Sequence, residues 1–312
     1  MRYIGELREG DMVSDTYLCK QKQTLTTKAG KNYYSLLLQD KSGTIDAKVW
    51  DCAGIDYFDA MEYIKVDGQV ISFQGGLQLN VKRVRRSGEG EYDPKDFVPT
   101  TNKNIDEMYR ELLKYISSIT HPHLKKLAES FFVEDKTFAN KFKMHSAAKN
   151  VHHGFAGGLL EHTLGVVRLC EYFANMYPKL NRDLLLVAAM FHDIGKTEEL
   201  SGFPENDYTD DGQLLGHIFI GAEMIGARIK TIANFPPQVG SCLRHCILSH
   251  HGELEYGSPK KPAIMEAFAL NFADNADAKL QTMMELLESG DEKATWLGFN
   301  RMFETNIRRT NF

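Results

Sequence analysis

The chain has 312 residues, of which 43% are hydrophobic and 25% charged, and its formal net charge is −5. That length gives room for two domains, each with a core of its own, and the acidic balance argues against a general polyanion binder. No apolar run is long enough to span a bilayer, and residues 1–6 are charged with no apolar signal core. No membrane partner is therefore expected. Five scattered cysteines, Cys19, Cys52, Cys170, Cys242 and Cys246, read as free thiols of a reducing compartment, so the expected location is cytoplasmic.

The charge is uneven: residues 1–88 carry net +2 and residues 89–312 net −7. Residues 1–88 read as short strands. Residues 33–39 are rich in Tyr and Leu, Asp40-Lys41-Ser42-Gly43 is a turn signal, and residues 44–50 alternate, with Ile45, Ala47 and Val49 facing one way. A short helix is expected near 54–61, then a strand over 66–73. A last strand has Leu77, Leu79 and Val81 inward. Five strands interrupted by one helix suggest a small closed barrel.

The spacing resembles the OB-fold, and residues 38–50 look like the second hairpin of nucleic-acid-binding OB domains. On the outward face Lys48 offers a phosphate partner and Trp50 a stacking platform, with Tyr33 or Tyr34 beside them. The alternative is that Trp50 packs and the lysines are merely solvated. Lys82, Arg83, Arg85 and Arg86 form a basic tail to the barrel.

Residues 89–104 are Gly-, Pro- and acid-rich and read as a linker between a barrel at 1–88 and a helical domain at 105–312. Ile105, Met108, Leu112, Ile116 and Ile119 recur at helical spacing. A second helix is expected over 124–132, with His121 and His123 in the loop before it.

From about 145 onward the chain reads helical and histidines cluster. One His on an apolar face is usually a satisfied core residue. The set His162, His192, Asp193, His217, His250, His251 and Asp274 is hard to explain that way. His162 begins an apolar helix over 159–169, and His217 opens another. His250-His251 end a helix over 239–248, and Asp274 lies inside a further one. Imidazole and carboxylate donors from separate helices suit a divalent ion such as Mn, Fe, Co, Ni or Zn in a bundle core. His192-Asp193 stands at the end of an apolar run, 184–191, where each residue would hold a different part of the cluster. Cys242 and Cys246, one turn apart, read as core.

The order His162, His192-Asp193, Asp274 resembles the H…HD…D signature of HD-domain metal-dependent phosphohydrolases. His217 and His250 resemble the additional ligands of the subset that binds two metals. The resemblance implies that His162, His192, Asp193 and Asp274 hold one ion, with Asp193 bridging to a second held by His217 and His250. His251 would be a further ligand or a donor behind the ligands. Asp193 and Lys196 are the expected catalytic pair. Lys196, four residues after His192 on one helix face, would bind a substrate phosphate; the alternative is a solvated helix-end lysine. Asp277 would orient a ligand, bind a ribose or bond a helix end.

Ile194-Gly195-Lys196 after the His-Asp pair departs from the Glu-Asp pair of alarmone hydrolases. The Gly-Tyr-Pro element of the cyclic-dinucleotide phosphodiesterases is missing downstream. An OB-like half followed by His152-His153-Gly154 and residues 155–163 looks like the YhaM-type 3′→5′ exoribonucleases of Gram-positive bacteria. That resemblance covers nearly the whole chain. It implies an OB barrel followed by an all-α HD bundle, cleaving single-stranded RNA, and also single-stranded DNA, to nucleoside 5′-monophosphates. It also implies two divalent ions per subunit, Mn or Co. Lys149, His152 and His153 would line the path of the scissile phosphate, or the two histidines would fix a loop before the helix. Trp296, Phe299 and Phe303 in the tail are spaced like a packed face, as at a contact between copies in a homo-oligomer; Arg308 and Arg309 would instead touch RNA. Two alternatives remain: a phosphohydrolase of nucleotides or cyclic dinucleotides with a regulatory barrel, and a nucleic-acid-binding protein with a structural HD core.

Overall fold

The computed structural model describes residues 1–52, 55, 57–149, 154–289 and 294–310. Contacts divide them into two units, Met1–Thr100 with Gly202–Asn206, and Thr101–Ser201 with Asp207–Phe312.

The first unit is a closed five-stranded barrel in the order β1-β2-β3-β5-β4, with β4 returning to β1. The strands are β1 (Met12–Thr26), β2 (Asn32–Asp40), β3 (Gly43–Val49), β4 (Glu62–Phe73) and β5 (Gly76–Arg86). All neighbours are antiparallel except β3 and β5. β1 is long enough to pair with two partners because a bulge between Cys19 and Gln21 bends it from one to the other. Alternation supplies the core: Ile45, Ala47 and Val49 from β3 meet Ile64, Val66 and Val70 from β4, all at most 5% exposed. The β2–β3 turn is pinned by the buried Asp40 carboxylate, which accepts from the Ile4 and Ser42 amides.

Three details of this unit differ from expectation. Leu77 is 40% exposed, because it stands beside the Gln74–Gly75 turn of the β4–β5 hairpin and the strand's apolar side chains enter the core only at Leu79. The helix expected near 54–61 falls partly outside the described residues, and residues 57–61 are not helical. Residues 93–97 are not loose linker within their unit: Asp93 caps a short helical turn, Pro94–Phe97, and Phe97 is fully buried beside Tyr63.

The second unit is helical among its described residues apart from one small hairpin. α1 (Ile105–Ser118) is capped by Asn104, and α2 (Pro122–Glu129) by His121. His123 therefore lies in α2 and not in the loop, since Pro122 is favoured at a first helical position. A wider turn, Ser130–Glu134, leads to α3 (Lys136–Met144). α4 (Gly158–Met176) and α5 (Arg182–Phe191) follow. α5 is buried from Asp183 through Phe191, which is why its sequence is apolar on every side. Then come α6 (Lys196–Glu199), α7 (Asp210–Ile229), α8 (Pro237–Ser249) and α9 (Met265–Ser289). α4, α8 and α9 pack around α5, and Cys170 and Cys246 lie in that core with no exposure.

The described tail is extended and not helical. Trp296–Asn300 (β6) and Thr305–Arg308 (β7) form an antiparallel hairpin with Trp296 59% and Phe299 63% exposed. A register shift between Trp296 and Gly298 lets both aromatics of β6 stand in solvent although they are three positions apart. Among the described residues no helix is long and apolar enough to cross a membrane.

Candidate metal centre

Five histidines and two aspartates converge around the C-terminal end of α5. That helix stops at Phe191, and His192 to Gly195 form a turn before α6. His192 and Asp193 thus do not diverge along one helix. Their side chains approach each other, with His192 Nε2 3.3 Å from Asp193 Oδ2. The same turn removes Lys196 from the helix face of His192. Lys196 instead begins α6 and places Nζ 2.7 Å from Asp193 Oδ2. Gly195 makes the turn possible, because a Cβ there would lie 2.0 Å from the His217 carbonyl oxygen on α7.

His217 sits inside α7, just past a break at Gly216, whose φ of 72° and ψ of 155° interrupt the helix. His250 and His251 follow the last residue of α8. α4 contributes His162, and α9 contributes Asp274 and Asp277. All of these are buried or half-buried.

The donors form two groups on either side of Asp193. On one side His162 Nε2 lies 3.5 Å from Asp193 Oδ2 and 3.1 Å from both Asp274 Oδ1 and His192 Nε2. On the other, Asp193 Oδ1 lies 3.4 Å from His217 Nε2 and 3.7 Å from His250 Nε2. His251 belongs to the second group, with His217 and His250.

Each of the five rings is held the same way. Nδ1 of His162 faces Asp277 Oδ2 at 2.7 Å, and that of His217 faces Glu199 Oε1 at 3.0 Å. His192, His250 and His251 direct Nδ1 at the carbonyls of Ala189, Ile247 and Tyr256, at 2.7 to 2.8 Å. Every one of these partners is an acceptor, so every Nδ1 carries the proton. Nε2 of the neutral ring is then a bare lone pair aimed inward.

Such a cluster is costly unless something positive sits in it. Asp193 Oδ1, His217 Nε2 and His250 Nε2 are buried without a hydrogen-bond partner. Two imidazole nitrogens 3.1 Å apart, as in His162 and His192, need a proton or an ion between them. In the metal-free protein His162 takes that proton. Burial opposes its charge, but Asp274 and Asp277 prevail and hold its pKa up at about 10. Burial, with His251 and His192 beside it, pushes His250 well below the ordinary histidine range, and burial and His217 lower His251, so both are neutral ligands in waiting. Asp193 would be raised by its burial, but Lys196 and His192 hold it well below the usual carboxylate range. The donor set, nitrogen and oxygen without thiolate, fits a divalent cation.

Lys149 forms an ion pair with Asp207 at 2.5 Å. His152 and His153 lie outside the described residues. In the barrel, Trp50 stacks on Tyr33 with centroids 4.7 Å apart and stays 50% exposed. Lys48 donates to Ser35 Oγ, and Tyr34 turns edge-on to Phe58. Arg85 and Arg86 are paired with Glu91 and Glu62, which shortens the free basic tail. Glu199 escaped sequence reading, although it stands three residues after Lys196. So did the backbone of Tyr256, which no sequence pattern could mark.

Residues 159–279 match the HD domain family. The chain is similar to a replication protein A heterotrimer bound to single-stranded DNA, at 16% identity over 28% of this chain and 64% of that one, with a TM-score of 0.22. It is also similar to the second OB-fold domain of replication protein A from Methanococcus maripaludis, at 21% identity over 30% of this chain and 98% of that one, with a TM-score of 0.23. The barrel assignment stands on its own strand pairing and needs neither likeness. Over 282 residues the chain is 36% identical to the 3′-5′ exoribonuclease YhaM of Bacillus velezensis, covering 89% of this chain and 88% of that relative. The chain therefore belongs to the YhaM family of 3′-5′ exoribonucleases.

Proposed function

We propose that this protein removes nucleoside 5′-monophosphates from the 3′ end of single-stranded RNA, using two divalent ions held on either side of Asp193. The observation that carries the reading is the Asp193 carboxylate, whose two oxygens each face a separate group of imidazole Nε2 atoms. His162, His192, Asp193 and Asp274 would hold one ion. Asp193, His217 and His250 would hold the other, with His251 adjoining. Divalent ions so held lower the pKa of water and stabilise charge developing on a phosphodiester. Mn is the ion that the family resemblance implies, and the mixed nitrogen and oxygen set accommodates it along with Co, Fe, Ni or Zn.

The protein's own groups do the rest. Asp277, Glu199 and three main-chain carbonyls fix the tautomers, so the ligand nitrogens need no reorganisation. Lys196, its charge favoured by Asp193 despite burial, places a cation at the edge of the cluster for a substrate phosphate. In the other unit, the exposed Trp50–Tyr33 stack is a platform for an unpaired base. Stacking on a ring does not read the sugar, so single-stranded DNA is a second substrate. The units divide this work, the barrel unit gripping the strand and the helical unit cutting it.

The test is incubation with Mn and a 5′-labelled single-stranded RNA, in parallel with nucleotides and cyclic dinucleotides. A ladder shortening from the 3′ end is expected. Intact RNA beside cleaved small nucleotides would instead make the protein a nucleotide phosphohydrolase.

A further inference from the structure

A cavity of about 550 Å³ opens on the metal-ligating cluster, reaching His162, Asp193 and Asp274. α9 forms one wall of it. Two lysines line it, Lys196 and Lys279, and their situations are opposite. Lys196 is committed to Asp193 at 2.7 Å with 17% of its side chain exposed. Lys279 is exposed and has no ion pair or hydrogen bond among the described residues. It shares its helix face with Asn275, one turn earlier, which also lines the cavity and is likewise exposed. Lys279 follows Asp274 by five positions, which places its backbone about 7.5 Å further along the helix axis. That is close to the step from one phosphodiester to the next along a single strand.

We propose that Lys279 binds the phosphodiester next to the scissile one, on its 5′ side. This deepens the exoribonuclease reading and rests on it. The direction follows from the substrate's chemistry. A 3′-terminal nucleotide ends in hydroxyls, so every phosphate other than the scissile one lies upstream. A cation beside the cluster, in the same cavity and spaced by about one nucleotide, therefore meets the first upstream phosphate. Lysine suits this duty, because its flexible stem carries a compact charge that follows a moving backbone without reading a base. If Lys279 were merely solvated, removing its charge would leave the preference for the longer substrate as it was.

The experiment compares a dinucleoside monophosphate, which has only the scissile phosphate, with a trinucleoside diphosphate cut at its 3′ linkage. The readout is the ratio of the two kcat/KM values on one preparation with Mn. The ratio is insensitive to the fraction of folded enzyme. Lys279→Met, which keeps the stem and removes the charge, should lower the preference for the longer substrate about tenfold. Lys279→Arg should keep it. An unchanged ratio in Lys279→Met overturns the assignment and leaves the exoribonuclease reading standing. Failure of the unmodified protein to shorten either substrate overturns that reading, and this inference falls with it.

Discussion

His162 and Asp277 are joined across the α4–α9 contact by a 2.7 Å hydrogen bond from Nδ1 to Oδ2. Gly165, one turn after His162, leaves the space for it, since a Cβ there would lie 2.0 Å from Asp277 Oδ1. The carboxylate sets which nitrogen of His162 faces the cluster. Asp277→Ala should weaken Mn binding about 10- to 100-fold, the usual cost of losing a partner behind a ligand. Calorimetric titration with Mn reads this without relying on activity. Unchanged affinity in a folded variant would show that Asp277 only ties two helices together.

Gly195 packs against the His217 carbonyl of α7. Adding a methyl group must push the turn that carries His192 and Asp193 away from the break that carries His217. Gly195→Ala should cost about 1–3 kcal/mol of stability, as overpacking does, and should lower Mn affinity as well. Denaturant unfolding and metal titration check the two effects separately. A variant as stable as the parent would mean that α7 shifts freely.

Metal removal should destabilise the helical unit. The unpartnered Asp193 Oδ1, His217 Nε2 and His250 Nε2 gain partners only when ions bind, and a ligand that binds the folded state alone raises its stability. Thermal unfolding after chelation should start lower, and added Mn should restore it. Identical midpoints with and without Mn would contradict the metal assignment.

Asp183 gives a pH dependence away from the cluster. Its Oδ2 accepts from the Thr120 amide and hydroxyl and the His121 amide, at 2.6 to 2.8 Å, closing the α1–α2 turn onto α5. Burial would raise its pKa, but these bonds and Arg182 overcome it and hold it below the ordinary value. A depressed folded pKa contributes stability above the unfolded value, about 3.9, which is lost as pH falls through the folded one. Asp183→Asn should therefore cost about 2 kcal/mol at neutral pH. The gap from the parent should narrow as pH drops below about 4. A gap that stays constant from pH 7 to pH 3 would rule out the charge as its source.

Trp50→Ala should weaken binding of single-stranded RNA by about 1–3 kcal/mol, the value of one stacked base. Cleavage of a dinucleoside monophosphate should change little by comparison. Fluorescence anisotropy with a labelled oligomer measures the first. An unaltered oligomer affinity would return Trp50 to the role of a surface aromatic.

The sequence by itself determined the barrel, through strict alternation in 44–50 and a turn signal at 40–43. It also determined the helical unit, through apolar periodicity, because both patterns report which faces leave water. Histidine and aspartate types at buried positions marked the cluster for the same reason: such groups are costly there without a partner. What only the tertiary structure decided was direction. His192 and Asp193 converge because α5 stops at Phe191 and Gly195 meets α7, a close approach between segments twenty-two residues apart that no local pattern encodes. The inward lone pairs likewise depend on Glu199, Asp277 and three main-chain carbonyls. Backbone acceptors are present at every residue, so sequence cannot say which ones a ring will find.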